Sequence, residues 1–273
     1  MLAAVALWAR ITRCTPLCAL LLAAVAATGC GNWNVEPVRL SFSLNSSLAA
    51  GCNGIPEPGQ LRFYASNLRM VEANGAAAPV MLDAQPTQSQ DLGIALVSWV
   101  GQCAGAQDDP HISGKVARGD YAAVEFELGV PFERNHAHPL AAPPPLNVPS
   151  MFWTWQSGYK FLRLDVGTDW SFHLGSTGCV SPSAVRLPES CARPNRATIR
   201  LPAAVAWDGV VVVDLDALLA GIDPTTVANC VDDYRAAPHC RHLLTRIGID
   251  ADNGQCDGGC RHQAFFRYED GAE

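Results

Sequence analysis

The feature that most constrains this chain is a series of short segments in which apolar and polar residues alternate, each closed by Gly, Pro or Asn. Val38–Leu44 reads VRLSFSL, Gln60–Met70 reads QLRFYASNLRM, Val124–Val130 reads VEFELGV and Phe161–Val166 reads FLRLDV. A period of two sends successive side chains to opposite faces, the pattern of a half-buried strand. Val71–Gly75 predicts a strand ending in an Asn-Gly hairpin turn, with Pro79–Leu82 returning. Leu92–Val100, Ala197–Leu201, Val210–Leu215 and Phe265–Tyr268 predict further strands. Helical signals are confined to one turn at Asp216–Gly221 and a short helix around Arg241–Leu244. The expected fold is all-β, an antiparallel β-sandwich with disulfide-tied loops and little helix. With 49% apolar residues in 273, a large core is within reach.

The N-terminal segment has the marks of export. Arg10 and Arg13 precede the apolar run Leu17–Ala27, and small residues lead into Cys30. This predicts a signal peptide over residues 1–29, of the lipoprotein type, with Cys30 as the lipidated residue and 31–273 as a single domain. The expected location is the periplasm or the cell surface, on an outer-membrane lipid anchor. Cys14 and Cys18 leave with the signal, so Cys52, Cys103, Cys179, Cys191, Cys230, Cys240, Cys256 and Cys260 remain. An even number in an oxidising compartment reads as four disulfides. Short loops favour Cys179–Cys191, Cys230–Cys240 and Cys256–Cys260, which leaves Cys52 for Cys103. The repeated C-x-x-C of a thiolate zinc site is absent. A net charge of -7 and the lack of a Lys/Arg cluster argue against a nucleic-acid partner.

The stretch Phe126–Cys179 concentrates the chemistry. It carries three of the seven tryptophans, three of the seven histidines and the Pro-rich loop Pro139–Pro149. The chain contains no G-x-S-x-G elbow, H-E-x-x-H helix, P-loop or dinucleotide fingerprint, so a non-enzymatic protein is expected. Asp250-Ala-Asp252-Asn253-Gly254 has the flavour of a calcium loop but lacks the acidic residue an EF-hand needs. His136 and His138, spaced His-x-His, would share one face of an extended segment, and His173 is the natural third donor. Neutral imidazoles suit copper, zinc, iron and nickel. Trp153 and Trp155 flank Thr154 and would share a strand face, as core packing or as an exposed platform for carbohydrate or peptide. Asn135, Asp165 and Lys160 are polar neighbours placed to orient the imidazoles. Met151 is either a soft ligand or a packed core residue.

Several longer motifs then come together. LGVPFERNH (128–136), Pro145–Asn147, SMFWTWQSGYKFLR (150–163), FHLGSTGC (172–179), Phe63–Val71 and CARPNR (191–196) closely resemble the MbnP-like family, the four-cysteine half of a metallo-mystery pair. The resemblance covers most of the chain from Val38 onward. It implies an exported, β-rich copper-binding protein whose partner is a di-haem cytochrome of the peroxidase/MauG type. That partner is expected to oxidise a tryptophan to kynurenine, which helps build the copper site. Related copper-repressible surface proteins of methanotrophs bind copper through kynurenine and two histidines. Carried onto this chain, His136 and His173 match the motif histidines, and Trp153 or Trp155 would be the modified residue. The four family cysteines match Cys52, Cys103, Cys179 and Cys191. His138 and the Cys256/Cys260 pair have no clear place in that pattern.

Overall fold

The computed structural model describes residues 34–48, 59–100, 110–256, 260 and 262–270. The proposed signal segment, Cys30, Cys52 and Cys103 lie outside these residues. In chain order the strands are β1 (Val35–Asn45), β2 (Gln60–Glu72), β3 (Ala77–Pro79), β4 (Met81–Leu82), β5 (Gln88–Ser89), β6 (Ile94–Val100), β7 (His111–Ala117) and β8 (Tyr121–Leu128). After the short helix α1 (Phe132–Asn135) come β9 (Phe152–Thr154), β10 (Gly158–Tyr159), β11 (Leu162–Val166), β12 (Trp170–Leu174), β13 (Thr177–Val180), β14 (Ser190–Arg193), β15 (Ala197–Pro202) and β16 (Gly209–Asp214). Helices α2 (Leu215–Leu219) and α3 (Pro238–Ile247) precede β17 (Phe266–Asp270). Val35–Glu273 is one compact unit by its internal contacts.

Two sheets face one another. One has five strands in the order β17-β16-β1-β7-β4; the other has eight, built around β2. The alternation seen in the sequence sets which side chains enter between them. Val38, Leu40 and Phe42 of β1 are buried while Arg39 is exposed and Ser41 half-buried. Phe42 and Phe266 from the smaller sheet meet Phe63 and Phe126 from the larger one edge to face, with ring centroids 5.4–6.5 Å apart. Such aromatic contacts each add about 0.5–1.5 kcal/mol beyond the apolar area they bury. The architecture is thus the expected all-β sandwich.

Among the described residues every strand ladder is antiparallel except β1 with β16, which run parallel with Ser41 opposite Val210. The long connection between these strands permits that direction; a tight hairpin would not. β2 is the organising strand. It pairs with β11 over Gln60–Phe63 and with β8 from Ala65 onward, the β8 register shifting between Ser66 and Arg69. Asn67 sits at this bulge with φ +54°, a left-handed conformation that Asn tolerates better than other non-glycine residues.

The helices are short and locally specified. Asp214 caps α2 by accepting from the Ala217 N–H at 2.8 Å. Pro238 opens α3 and Gly248 closes it with φ +88°. The Cys230–Cys240 disulfide ties α3 to the segment whose Cys230 N–H and C=O bond Ser171 and His173 of β12. Cys179–Cys191 joins directly opposed residues of β13 and β14, and Cys256–Cys260 closes the third bridge. Among the described residues no helix is long and apolar enough to cross a membrane.

Candidate functional site

The His-x-His segment is not extended. Pro131 leads into α1, and the chain turns at His136, so the two imidazoles diverge. His136 is buried and His138 is exposed. The His138 Nδ1 accepts the Leu140 N–H at 3.2 Å and its ring lies against Phe152. The shared-face argument for this pair therefore fails, because it required a strand where the Pro-flanked sequence forms a helical turn.

His136 is held at both ring nitrogens. Its Nδ1 lies 3.0 Å from the Trp155 carbonyl oxygen. A carbonyl only accepts, so Nδ1 carries the proton and the neutral ring keeps its lone pair on Nε2. Burial lowers the His136 pKa below its ordinary value, outweighing the opposing pull of the Trp155 carbonyl. Asn135, fully buried, accepts the Tyr159 N–H through Oδ1 at 2.9 Å, which turns its Nδ2 toward His136 Nε2 at 3.4 Å. Cys191 Sγ lies 3.8 Å from the same nitrogen. Asn135 is adjacent to His136 in sequence, whereas Cys191 meets it only through a contact 55 residues away, which sequence spacing does not reveal.

The two tryptophans occupy different settings. Trp153 is on β9, whereas Trp155 falls in the turn between β9 and β10; both are half-buried. They do not share one strand face. The turn closes through Gly158 at φ +83°, where a Cβ would lie 2.6 Å from the Asn135 amide. Trp153 packs on the backbone of Gly175, where a Cβ would come within 2.4 Å of its Cζ3. The Trp-Thr-Trp segment therefore touches His136 through the Trp155 carbonyl and the end of β12 through the Trp153 ring. Gly175 is two residues beyond His173.

His173 lies opposite Arg163, with Ser171 and Asp165 as the next pair across β11 and β12. Its Nε2 lies 2.7 Å from Asp165 Oδ1, so Nε2 carries a proton and the neutral ring keeps its lone pair on Nδ1. A carboxylate orienting an imidazole in this way is a recurrent support for metal-binding histidines. The charge around it acts the other way. Burial lowers the His173 pKa most, the Asp165 carboxylate opposes it, and the cations Lys160 and Arg163 add to the lowering. For Asp165 burial pushes the carboxyl up, but hydrogen bonds from His173 and Ser171 and the charge of Arg163 hold it well below the usual carboxylate range.

Among the described residues, two sets of three potential ligand residues bring their donor atoms within 4.8 Å of one another: His136 with Cys179 and Cys191, and Cys230 with His239 and Cys240. In both sets the sulfurs are joined as disulfides and are not thiolates. The imidazoles are the available donors. His173 and His138 belong to neither set, so the three predicted histidines do not form a single closed cluster. Met151 is fully buried in the core, as the packing reading expects. The Asp250 loop is a local turn in which Asp250 Oδ1 accepts the Asp252 and Asn253 N–H groups. Asp252 is paired with Arg241.

A family profile, MbnP, matches residues 33–232. The fold is similar to the solved structure of MbnP from Methylosinus trichosporium, with a TM-score of 0.71 and 20% identity over 87% of this chain and 99% of that one. No curated protein matches the chain.

Proposed function

The chain belongs to the MbnP family, and from that premise we propose that it is an exported, non-catalytic copper-binding protein of the cell envelope, anchored through Cys30. The observation that carries the reading is the bond between His136 Nδ1 and the Trp155 carbonyl. It leaves Nε2 as a neutral donor beside the segment that holds both candidate tryptophans. Copper, when bound, would be held by the His136 Nε2 and the His173 Nδ1. A kynurenine formed from Trp153 or Trp155 by a di-haem MauG/peroxidase-like partner would supply the third donor. Few nitrogen donors and no oxygen cage suit copper and disfavour calcium or magnesium.

What these residues do is position and exclude. Asn135 and the Trp155 carbonyl fix the His136 tautomer, and Asp165 fixes that of His173. Burial lowers the His136 pKa, which favours the neutral ring that a metal needs. The competing reading, an exposed Trp platform for carbohydrate or peptide, loses ground because both indoles are half-buried and Trp153 is pressed onto Gly175. Metal analysis of wild type and His136→Ala tests the proposal: copper retained by wild type and lost from the variant supports it, and equal retention contradicts it.

A further inference from the structure

Among the described residues, one patch on the eight-stranded sheet gathers three cations, Arg62, Lys160 and Arg163, around a single carboxylate, Asp165. Gln60 and Arg62 of β2, Arg163 and Asp165 of β11, and Ser171 and His173 of β12 stand in register across three strands. They line a cavity of about 440 Å³ in which, among the described residues, Asp165 is the one carboxylate. That carboxylate is fully used within the cluster. Oδ1 accepts from Ser171 at 2.8 Å and His173 at 2.7 Å, and Oδ2 accepts from Gln60 at 2.9 Å and Arg163 at 2.7 Å.

The cations outnumber it. Arg62 donates from Nη1 to Ser150 Oγ at 3.3 Å, but its Nε is buried and has no acceptor among the described residues. Lys160, only 8% exposed, donates from Nζ to the Ser150 carbonyl at 3.0 Å, and Arg163 Nη1 donates to the same oxygen at 2.8 Å. Among the described residues neither Arg62 nor Lys160 has a carboxylate partner. Removing a charge from water without a counter-charge is costly, and so is leaving a buried N–H unpaired. The same imbalance is felt by the groups themselves. Burial, then the charge of Arg163, pushes Lys160 down to about 8 and Arg62 below its ordinary value.

We propose that this cavity binds a small oxyanion, of phosphate or carboxylate type, held by Arg62 and Arg163 with Lys160 behind them. A guanidinium presents donors in a planar fork that matches two oxygens of such an anion. The Arg62 guanidinium lines the cavity, and its hydrogen bond among the described residues is the long one to Ser150 Oγ, so its remaining Nη donors are the ones such a ligand would meet. The anion supplies the negative charge that Asp165 alone does not. This proposal requires no copper and no modified tryptophan, so it stands or falls separately from the metal reading.

The test is calorimetric titration of the folded, metal-free full chain with inorganic phosphate and, separately, with citrate, at constant ionic strength set by chloride. Saturable binding of phosphate alone identifies an inorganic-type ligand, and preferential binding of citrate an organic polycarboxylate; either supports the site. Arg62→Gln is expected to weaken binding by about tenfold or more, the scale of one lost charge-assisted hydrogen bond. Arg200→Gln, remote in the sheet and paired with Glu125, is expected to leave it unchanged. Circular dichroism establishes that Arg62→Gln is folded, and Arg163→Lys carries the same comparison if it is not. No saturable heat with either anion, or equal affinity in Arg62→Gln and Arg200→Gln, overturns the proposal.

Discussion

The carbonyl oxygen of Trp155 lies 3.0 Å from Nδ1 of His136, joining a turn residue of the β9–β10 hairpin to a buried imidazole nineteen positions earlier. The bond settles the tautomer of His136 and directs its lone pair through Nε2. It also means that the shape of the Trp-bearing hairpin and the orientation of this histidine are not independent.

Asn135 is the brace for both. It is fully buried, accepts the Tyr159 N–H and faces His136 Nε2. Asn135→Ala leaves the Tyr159 N–H without its acceptor, at a cost of about 1–3 kcal/mol. Urea unfolding is expected to show that loss, and copper retention is expected to fall with it. Unchanged stability would contradict the bracing role.

Gly175 is required by the Trp153 ring. An alanine there places its Cβ 2.4 Å from Trp153 Cζ3 and 2.8 Å from the Tyr159 carbonyl oxygen. One neighbour is backbone, so the indole must move. Gly175→Ala is expected to cost about 1–3 kcal/mol, the range for overpacking, and to shift tryptophan fluorescence toward that of a more exposed indole. A variant with native stability and an unshifted spectrum would show that the ring does not depend on this contact.

Burial depresses the His136 pKa in the folded state. A histidine that is harder to protonate when folded adds stability that is fully present above its unfolded value, near 6.5. That stability is lost as pH falls from there toward the lower folded value. The metal-free protein is therefore expected to lose stability below about pH 6.5, and His136→Gln to flatten the curve in that window. Parallel pH profiles for the two proteins would contradict the assignment.

The Cys179–Cys191 bridge closes a loop with a sequence separation of 12 and sets Cys191 Sγ beside His136 Nε2. Replacing both cysteines by serine is expected to destabilise the fold by about 2–4 kcal/mol. Calorimetry on the oxidised wild type and the double variant measures this directly; equal melting temperatures would contradict it.

Most of the sandwich was legible because alternation is a local signal. VRLSFSL puts Val38, Leu40 and Phe42 on one face, and the core uses that face. The close-spaced cysteine pairs were legible because short loops limit their partners. What stayed hidden was long-range or depended on backbone detail. The parallel β1–β16 ladder joins residues far apart in sequence, and the β2 bulge rests on one left-handed asparagine. His-x-His spacing makes His136 and His138 a ligand pair only on a strand, whereas Pro131 and Pro139 bracket a helical turn. The convergence of Arg62, Lys160 and Arg163 on Ser150 needed the register of β2 against β11, which alternation alone does not specify.

Copper bound through His136 beside an oxidised tryptophan is the central claim. Peptide mass spectrometry with copper quantification, on protein produced with and without a di-haem partner, tests it most directly. The predicted result is kynurenine at Trp153 or Trp155 only when the partner is present, with copper retained by that sample and lost on His136→Ala. Unmodified tryptophans in both samples, together with no retained copper in either, would contradict the account.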